Sequence, residues 1–181
     1  MLIRRKLISE KAEQLRELAK QKKLPIDPFV VAKHLGIQVE CASAPSDDIS
    51  GFLLIDHKKS LIGLNCDHSE TRKRFTLSHE IGHYILQHHL GKGTPHVDKQ
   101  MSIQFRNAAS ATGSKIEEIE ANLFAAELLM PEHMLKRSLQ KCPNLCLGSE
   151  NDDTISTLAE EFGVSGAAMT VRLSSLGFLK M

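Results

Sequence analysis

Read for the spacing of its apolar side chains, the chain opens helical, turns strand-like and closes helical. Leu7, Ile8, Ala12, Leu15, Leu18 and Ala19 recur at intervals of three and four, which predicts an amphipathic helix over residues 2–22. Its outer face reads as basic, with Arg4, Arg5, Lys6, Lys11, Arg16, Lys20, Lys22 and Lys23, and is expected to be solvated. Leu24-Pro25-Ile26-Asp27-Pro28 breaks that helix, and Pro28 suits the first turn of a short second one that runs to Leu35 and is closed by Gly36. Three strand-like segments follow, Ile37–Cys41, Gly51–Asp56 and Ser60–Asn65. The last two flank a polar turn at His57-Lys58-Lys59, which predicts an antiparallel hairpin. Strands followed by helices, without strict alternation, predict an α+β fold with a small antiparallel or mixed sheet.

A third helix is marked by Phe75, Leu77, Ile81, Ile85 and Leu86, and its polar exceptions are His79, Glu80 and His83. Residues four apart on a helix face the same way, so the two imidazoles of this His-Glu-x-x-His run can meet one divalent metal. Glu80 stands beside the pair, where its carboxylate would reach a metal-bound water and serve as general base. Zinc takes such imidazole nitrogens readily, and a catalytic site keeps three protein ligands and one water. Gly91-Lys92-Gly93-Thr94-Pro95 ends the helix, Met101–Arg106 reads as a short strand and Asn107–Ser114 as a loop.

The third ligand is sought in Ile116–Pro131, where Ile119, Leu123, Ala126 and Met130 form the apolar stripe of a core helix. Glu118 is preferred because Asn122 lies one turn further on and would then hydrogen-bond a ligand imidazole; Glu120 and Glu117 stand behind it as alternatives. Acids near a helix start also favour the dipole, which by itself explains some of the three. No residue is assigned as oxyanion partner: Tyr84, the single tyrosine, is set about 100° round the helix from His83, which leaves His89, His96, His133 and Arg106 as candidates.

Length and composition narrow the function classes. The 181 residues suit one domain with a sizeable core, and a net charge of +1 gives no global attraction to nucleic acid or membrane. No apolar run approaches the roughly 20 residues of a membrane span, and Met1–Lys11 lacks the apolar centre of a secretory signal, so a cytoplasmic protein is expected. Cys41, Cys66, Cys142 and Cys146 read as incidental thiols of a reducing compartment. Residues 1–140 are expected to form the domain that carries the metal site. Residues 141–181 form a helical segment packed on it, with a linker over Cys142–Asp153 and two helices meeting at Gly163. That tail resembles a helix-turn-helix, yet its second helix offers only Arg172 as a basic residue, so a packing role is preferred to DNA reading.

Arg74-Phe75-Thr76-Leu77-Ser78-His79-Glu80-Ile81-Gly82-His83, together with Glu118-Ile119-Glu120-Ala121-Asn122-Leu123-Phe124-Ala125-Ala126-Glu127-Leu128-Leu129-Met130-Pro131, resembles the ImmA/IrrE family of zinc metallopeptidases. The likeness extends to Leu24-Pro25-Ile26-Asp27-Pro28, Ile49-Ser50-Gly51 and Leu158-Ala159 with Phe162-Gly163-Val164-Ser165. The resemblance implies a compact thermolysin-like (zincin) fold, zinc held by residues matching His79, His83 and Glu118, and Glu80 as base. It further implies a regulatory endopeptidase acting on a protein substrate such as a helix-turn-helix repressor. A sensor-like module of the kind carried by longer members would not fit in this chain. The competing reading is a DNA-binding or repressor-binding regulator that uses the tail and the basic first helix, its zinc structural or vestigial.

Overall fold

In the computed structural model, residues 3–55, 59–88, 96–98, 113–140 and 152–179 are described. Helix α1 spans Arg5–Leu18 and buries Ile8, Ala12, Leu15 and Arg16. The buried stripe is therefore narrower than the predicted one. Leu7 and Leu18, each about 100° round the helix from a stripe position, are 38% and 57% exposed. The basic outer face is also corrected at two positions. Arg16 is buried, ion-paired with Glu13 and bonded through Nη1 to the Glu127 carbonyl, and Arg4 turns inward to Glu120. Helix α2, Pro28–His34, starts as expected: the Asp27 side chain accepts from Phe29 N and Pro28 fills the first turn. Gly36, at φ +71°, closes it.

Strands β1 (Ile37–Ala42), β2 (Gly51–Ile55), β3 (Ser60–Asn65) and β4 (His96–Asp98) form one sheet in the order β1-β3-β2-β4. The expected hairpin is present, with Gly51 opposite Leu64 and Ile55 opposite Ser60. β1 runs parallel to β3, so the sheet is mixed. β4 pairs antiparallel with β2; its three residues are too short for an alternation to be read from sequence. Leu53 and Ile62 pair directly across the sheet and carry its helix-facing side into the core. The Met101–Arg106 strand and residues 107–112 of the expected loop lie outside the described residues, whereas Gly113 and Ser114 already belong to the next helix.

Helix α3 (Glu70–Leu86) lies across β2 and β3, and helix α4 (Gly113–Leu129) lies against both α3 and α1. Ser69 caps α3 by accepting from Arg72 N. Two glycines set the distances between these layers. A Cβ on Gly51 would stand 2.6 Å from Thr76 Cγ2 and 2.9 Å from the Gly63 carbonyl, so glycine lets α3 close on the sheet. A Cβ on Gly82 would stand 3.2 Å from Ala121 Cα, Ala121 O and Phe124 Cβ, which makes Gly82 the point where α3 and α4 touch.

Helix α4 is buried on nearly every side. Leu123, Phe124 and Leu128 enter the core shared by α1, α2, the sheet and α3. Ala125, Ala126, Leu129 and Met130 enter a second core, closed by α5 (Glu132–Gln140), α6 (Asp152–Phe162) and α7 (Gly166–Ser175) through Leu135, Leu158, Phe162, Met169 and Leu173. Each fully buried side chain of this size contributes about 1.5–3 kcal/mol.

The tail is also tied by polar bonds. Arg74 of α3 donates from Nε to the Gly163 carbonyl at 2.8 Å and from Nη2 to the Ile26 carbonyl at 2.7 Å. Arg172 of α7, 3% exposed, donates to the Met130 carbonyl at 3.0 Å and pairs with Glu127 at 2.9 Å. Among the described residues no helix is long and apolar enough to cross a membrane.

Candidate metal centre

The close crossing at Gly82 and Ala121 brings one face of α3 onto the first turns of α4. His79 and His83, four residues apart on α3, present both Nε2 atoms to the same point, 2.9 Å from each other. Glu118, one turn before Ala121, supplies the third group. Its Oε2 lies 3.2 Å from His79 Nε2 and its Oε1 lies 3.4 Å from His83 Nε2. The three donors fall within 4.8 Å of one another and could hold a metal ion. Both imidazoles are buried and the carboxylate is half-buried, so the cluster opens to solvent on the Glu118 side.

The neighbours of this cluster divide by helix. Asn122, one turn beyond Glu118 on α4, has Oδ1 2.9 Å from His79 Nδ1, the contact anticipated from sequence. Glu80 is fully buried on α3 between the two histidines. Ile81, the first of the two variable positions in the motif, belongs to the core.

Glu120 and Glu117, the alternative third ligands, go elsewhere. Glu120 turns to the opposite side of α4, where Arg4 donates to it from backbone N at 2.9 Å and from Nε at 3.1 Å to each oxygen. Burial pushes the Glu120 carboxyl up, but the side-chain and backbone bonds from Arg4 and the bond from His88 outweigh it and bring it down to about 2. Glu117 lies close enough to add to the field that raises the Arg4 guanidinium, after the Glu120 bond and against burial.

His88 is a residue that periodicity did not reveal, since it lies past the end of α3. Gln87 adopts φ +55° and ψ +40°, and the backbone N–H groups of Gln87 and His88 return to the carbonyls of Tyr84 and His83. This left-handed closure swings the His88 ring back over the last turn. Its Nδ1 lies 3.1 Å from His83 Nδ1 and its Nε2 lies 3.1 Å from Glu120 Oε2. No sequence signal marks this return, because the left-handed helix end falls on a glutamine and not on a glycine. Tyr84 packs against the core, and of the oxyanion candidates His133 faces Glu13 at 3.7 Å, while His89, Arg106 and the His96 side chain lie outside the described residues.

Arg172, the basic residue on which a DNA-reading tail would depend, is taken up by Met130 and Glu127 in the interior. The exposed described positions of α7 are Gly166, Ala167, Thr170 and Ser175, with no cation among them.

Comparison with known proteins agrees with this architecture. An immunity region protein of Bacillus phage phi105, itself uncharacterised, is 28% identical over 111 residues, which cover 61% of this chain and 63% of that protein. A solved Mycobacterium tuberculosis transcriptional regulator superposes with a TM-score of 0.58 at 15% identity, covering 92% of this chain and 46% of the other. The chain thus spans less than two thirds of either relative, and the second likeness speaks to the zincin-like α+β fold alone. A peptidase family profile described as IrrE N-terminal-like domain matches residues 32–174. With most of its length inside that profile, this chain belongs to the ImmA/IrrE family.

Proposed function

We propose that this protein is a zinc-dependent endopeptidase that hydrolyses a peptide bond in a regulatory protein, a helix-turn-helix repressor being the substrate class in view. The observation that carries the reading is the convergence of His79 Nε2, His83 Nε2 and the Glu118 carboxylate within 4.8 Å. Three donors around one zinc at about 2.0–2.1 Å must stand roughly 3.3 Å apart. The observed separations of 2.9, 3.2 and 3.4 Å fit that ion with little rearrangement. Two neutral nitrogens and one carboxylate are also the donor types a hydrolytic zinc site uses.

Held by His79, His83 and Glu118, zinc supplies Lewis acidity for a scissile carbonyl and for the attacking water. The remaining chemistry falls to the chain. Glu80 takes the proton of that water on its carboxylate and passes it to the departing amine nitrogen. Glu80 is fully buried, so its carboxylate is held out of bulk water beside the two imidazoles. Asn122 holds the His79 ring by accepting from Nδ1, which turns the Nε2 lone pair toward His83 and Glu118. An extended substrate segment is expected to pair with an edge strand of the sheet, β1 or β4. Exposed free Cys41 and Cys66 suit the cytoplasmic location of such a regulator.

The test is a cleavage assay on a helix-turn-helix repressor encoded beside this protein, with and without chelator. Cleavage that stops on chelation and returns with zinc is the expected result. Cleavage indifferent to chelator overturns the zinc reading. Salt-sensitive binding of the chain to duplex DNA, with no cleavage of any protein, would favour the DNA-binding regulator instead.

A further inference from the structure

Arg4 precedes residues 32–174, the part of the chain that the family profile matches, yet it is bonded into the surroundings of the metal centre. Its guanidinium and backbone N–H grip Glu120, Glu120 Oε2 faces His88 Nε2 at 3.1 Å, and His88 Nδ1 faces His83 Nδ1 at 3.1 Å. Glu120, His88 and His83 are each no more than 4% exposed, so water does not compete for these contacts.

The hydrogen-bond geometry along this chain sets the ring protons, since a neutral imidazole donates from one nitrogen and accepts at the other. The Glu120 oxygen opposite His88 Nε2 accepts from that nitrogen. Arg4 Nη2, 3.3 Å from the same nitrogen, is then in contact without bonding to it. His88 Nδ1 is left as an acceptor, so His83 must donate from its own Nδ1. The lone pair of His83 is thereby confined to Nε2, the atom that faces His79 Nε2 and Glu118. The opposite tautomer of His88 would place two lone pairs against each other at Nε2 and a proton on the metal-facing nitrogen of His83.

We propose that Arg4, Glu120 and His88 are positioning residues that fix the tautomer and ring plane of His83 for metal binding, so that an N-terminal element outside the family-matched region is part of the metal site. The inference rests on the metallopeptidase reading above. Asn122 performs the same task for His79 in a single step from α4. The longer route to His83 passes through the left-handed turn at Gln87 and ends at Arg4, the residue that precedes α1.

The experiment compares zinc affinity, by chelator competition, with thermal stability and with imidazole tautomers in long-range proton–nitrogen NMR spectra, all on the full chain. Arg4→Gln and Glu120→Gln are each expected to weaken zinc binding about 10- to 100-fold. The double variant should be within about twofold of the weaker single, because the residues act in series. His88→Gln, whose amide offers one donor and one acceptor, should stay near wild type, whereas His88→Leu, with neither, should lose about as much as Glu120→Gln. Should Glu120→Gln fail to fold, this His88 pair carries the same test. Arg74→Gln serves as the control, lowering thermal stability and leaving zinc affinity within about twofold.

Zinc binding unchanged in Arg4→Gln and His88→Leu, with His83 still protonated on Nδ1, would overturn the positioning role and leave the metal site standing. A wild-type chain that holds no stoichiometric zinc, or a His79→Ala variant that holds as much as wild type, would overturn the metal reading and this inference with it.

Discussion

Asn122 Oδ1 stands 2.9 Å from His79 Nδ1, so the helix that brings the third donor also orients a ring on the helix opposite. One turn separates Asn122 from Glu118, and the pair therefore moves as a unit. Asn122→Ala should weaken zinc binding about 10-fold or more, with the fold retained. Chelator competition beside circular dichroism measures both, and an affinity equal to wild type would remove Asn122 from the site.

Glu80 is expected to act on the water and not on the metal. Glu80→Gln preserves shape and burial while removing the base, so it should retain one zinc per chain and lose about 10²–10⁴ in cleavage rate. Metal analysis with a timed cleavage assay separates the two effects. Equal turnover by the variant would exclude Glu80 from the mechanism.

Gly82 sets the α3–α4 spacing on which the site depends. Gly82→Ala drives a Cβ to 3.2 Å from two Ala121 backbone atoms, which cannot rotate away as a side chain can. The crossing must open by a few tenths of an ångström, and set against the gain of alanine over glycine inside a helix the expected net loss is about 1 kcal/mol. Urea denaturation should show that loss, and because Glu118 lies on the helix that is pushed back, zinc affinity should fall as well. A variant as stable as wild type would show that the crossing has slack.

Gln87 holds a left-handed conformation that costs a side-chain-bearing residue about 1–2 kcal/mol, only partly offset by the extra chain entropy of a glycine in the unfolded state. Gln87→Gly is therefore expected to stabilise the protein by about 0.5 kcal/mol. Gln87→Val, β-branched, should destabilise it by more than 1 kcal/mol and displace His88. Calorimetry orders the three proteins, and Val above Gly would contradict the φ of +55°.

Acid should weaken the fold through Glu120. Its carboxyl, near 4.5 when unperturbed, lies at about 2 in the native state. A depressed carboxyl contributes stability that is complete above its unfolded value and lost as pH falls through the native one, so the loss runs from about pH 5 toward pH 2. The amount is on the order of 3 kcal/mol. Urea midpoints of metal-free protein at pH 6 and pH 3 should differ more for wild type than for Glu120→Gln, and equal differences would count against the Arg4 pairing.

How far the chain could be read varies from element to element. The 79/83 spacing was visible because helical period alone puts two imidazoles on one face. The β2–β3 hairpin was visible because its apolar run is interrupted by a polar turn. α1 is shorter and its buried stripe narrower than the periodicity suggests: Leu7 and Leu18 match the pattern but miss the stripe, and Arg16 lies in it because the Glu127 carbonyl accepts from it there and Glu13 pairs with it at the rim. The packing role of α7 is legible in its small and apolar residues, whereas the partners that hold Arg172 inside, the Met130 carbonyl and Glu127, are not.

By itself the sequence determined the order of the helices and of the first three strands, the helix bearing His79, Glu80 and His83, and the preference for Glu118 through its spacing to Asn122, because these follow from periodicities within one element. Only the tertiary structure decided that β1 runs parallel to β3, that Glu120 belongs to Arg4 and His88, and that Arg172 is interior. Each of those depends on which surfaces meet across more than 20 residues of chain, and a charged side chain looks the same in sequence whether its partner is water or a buried carboxylate.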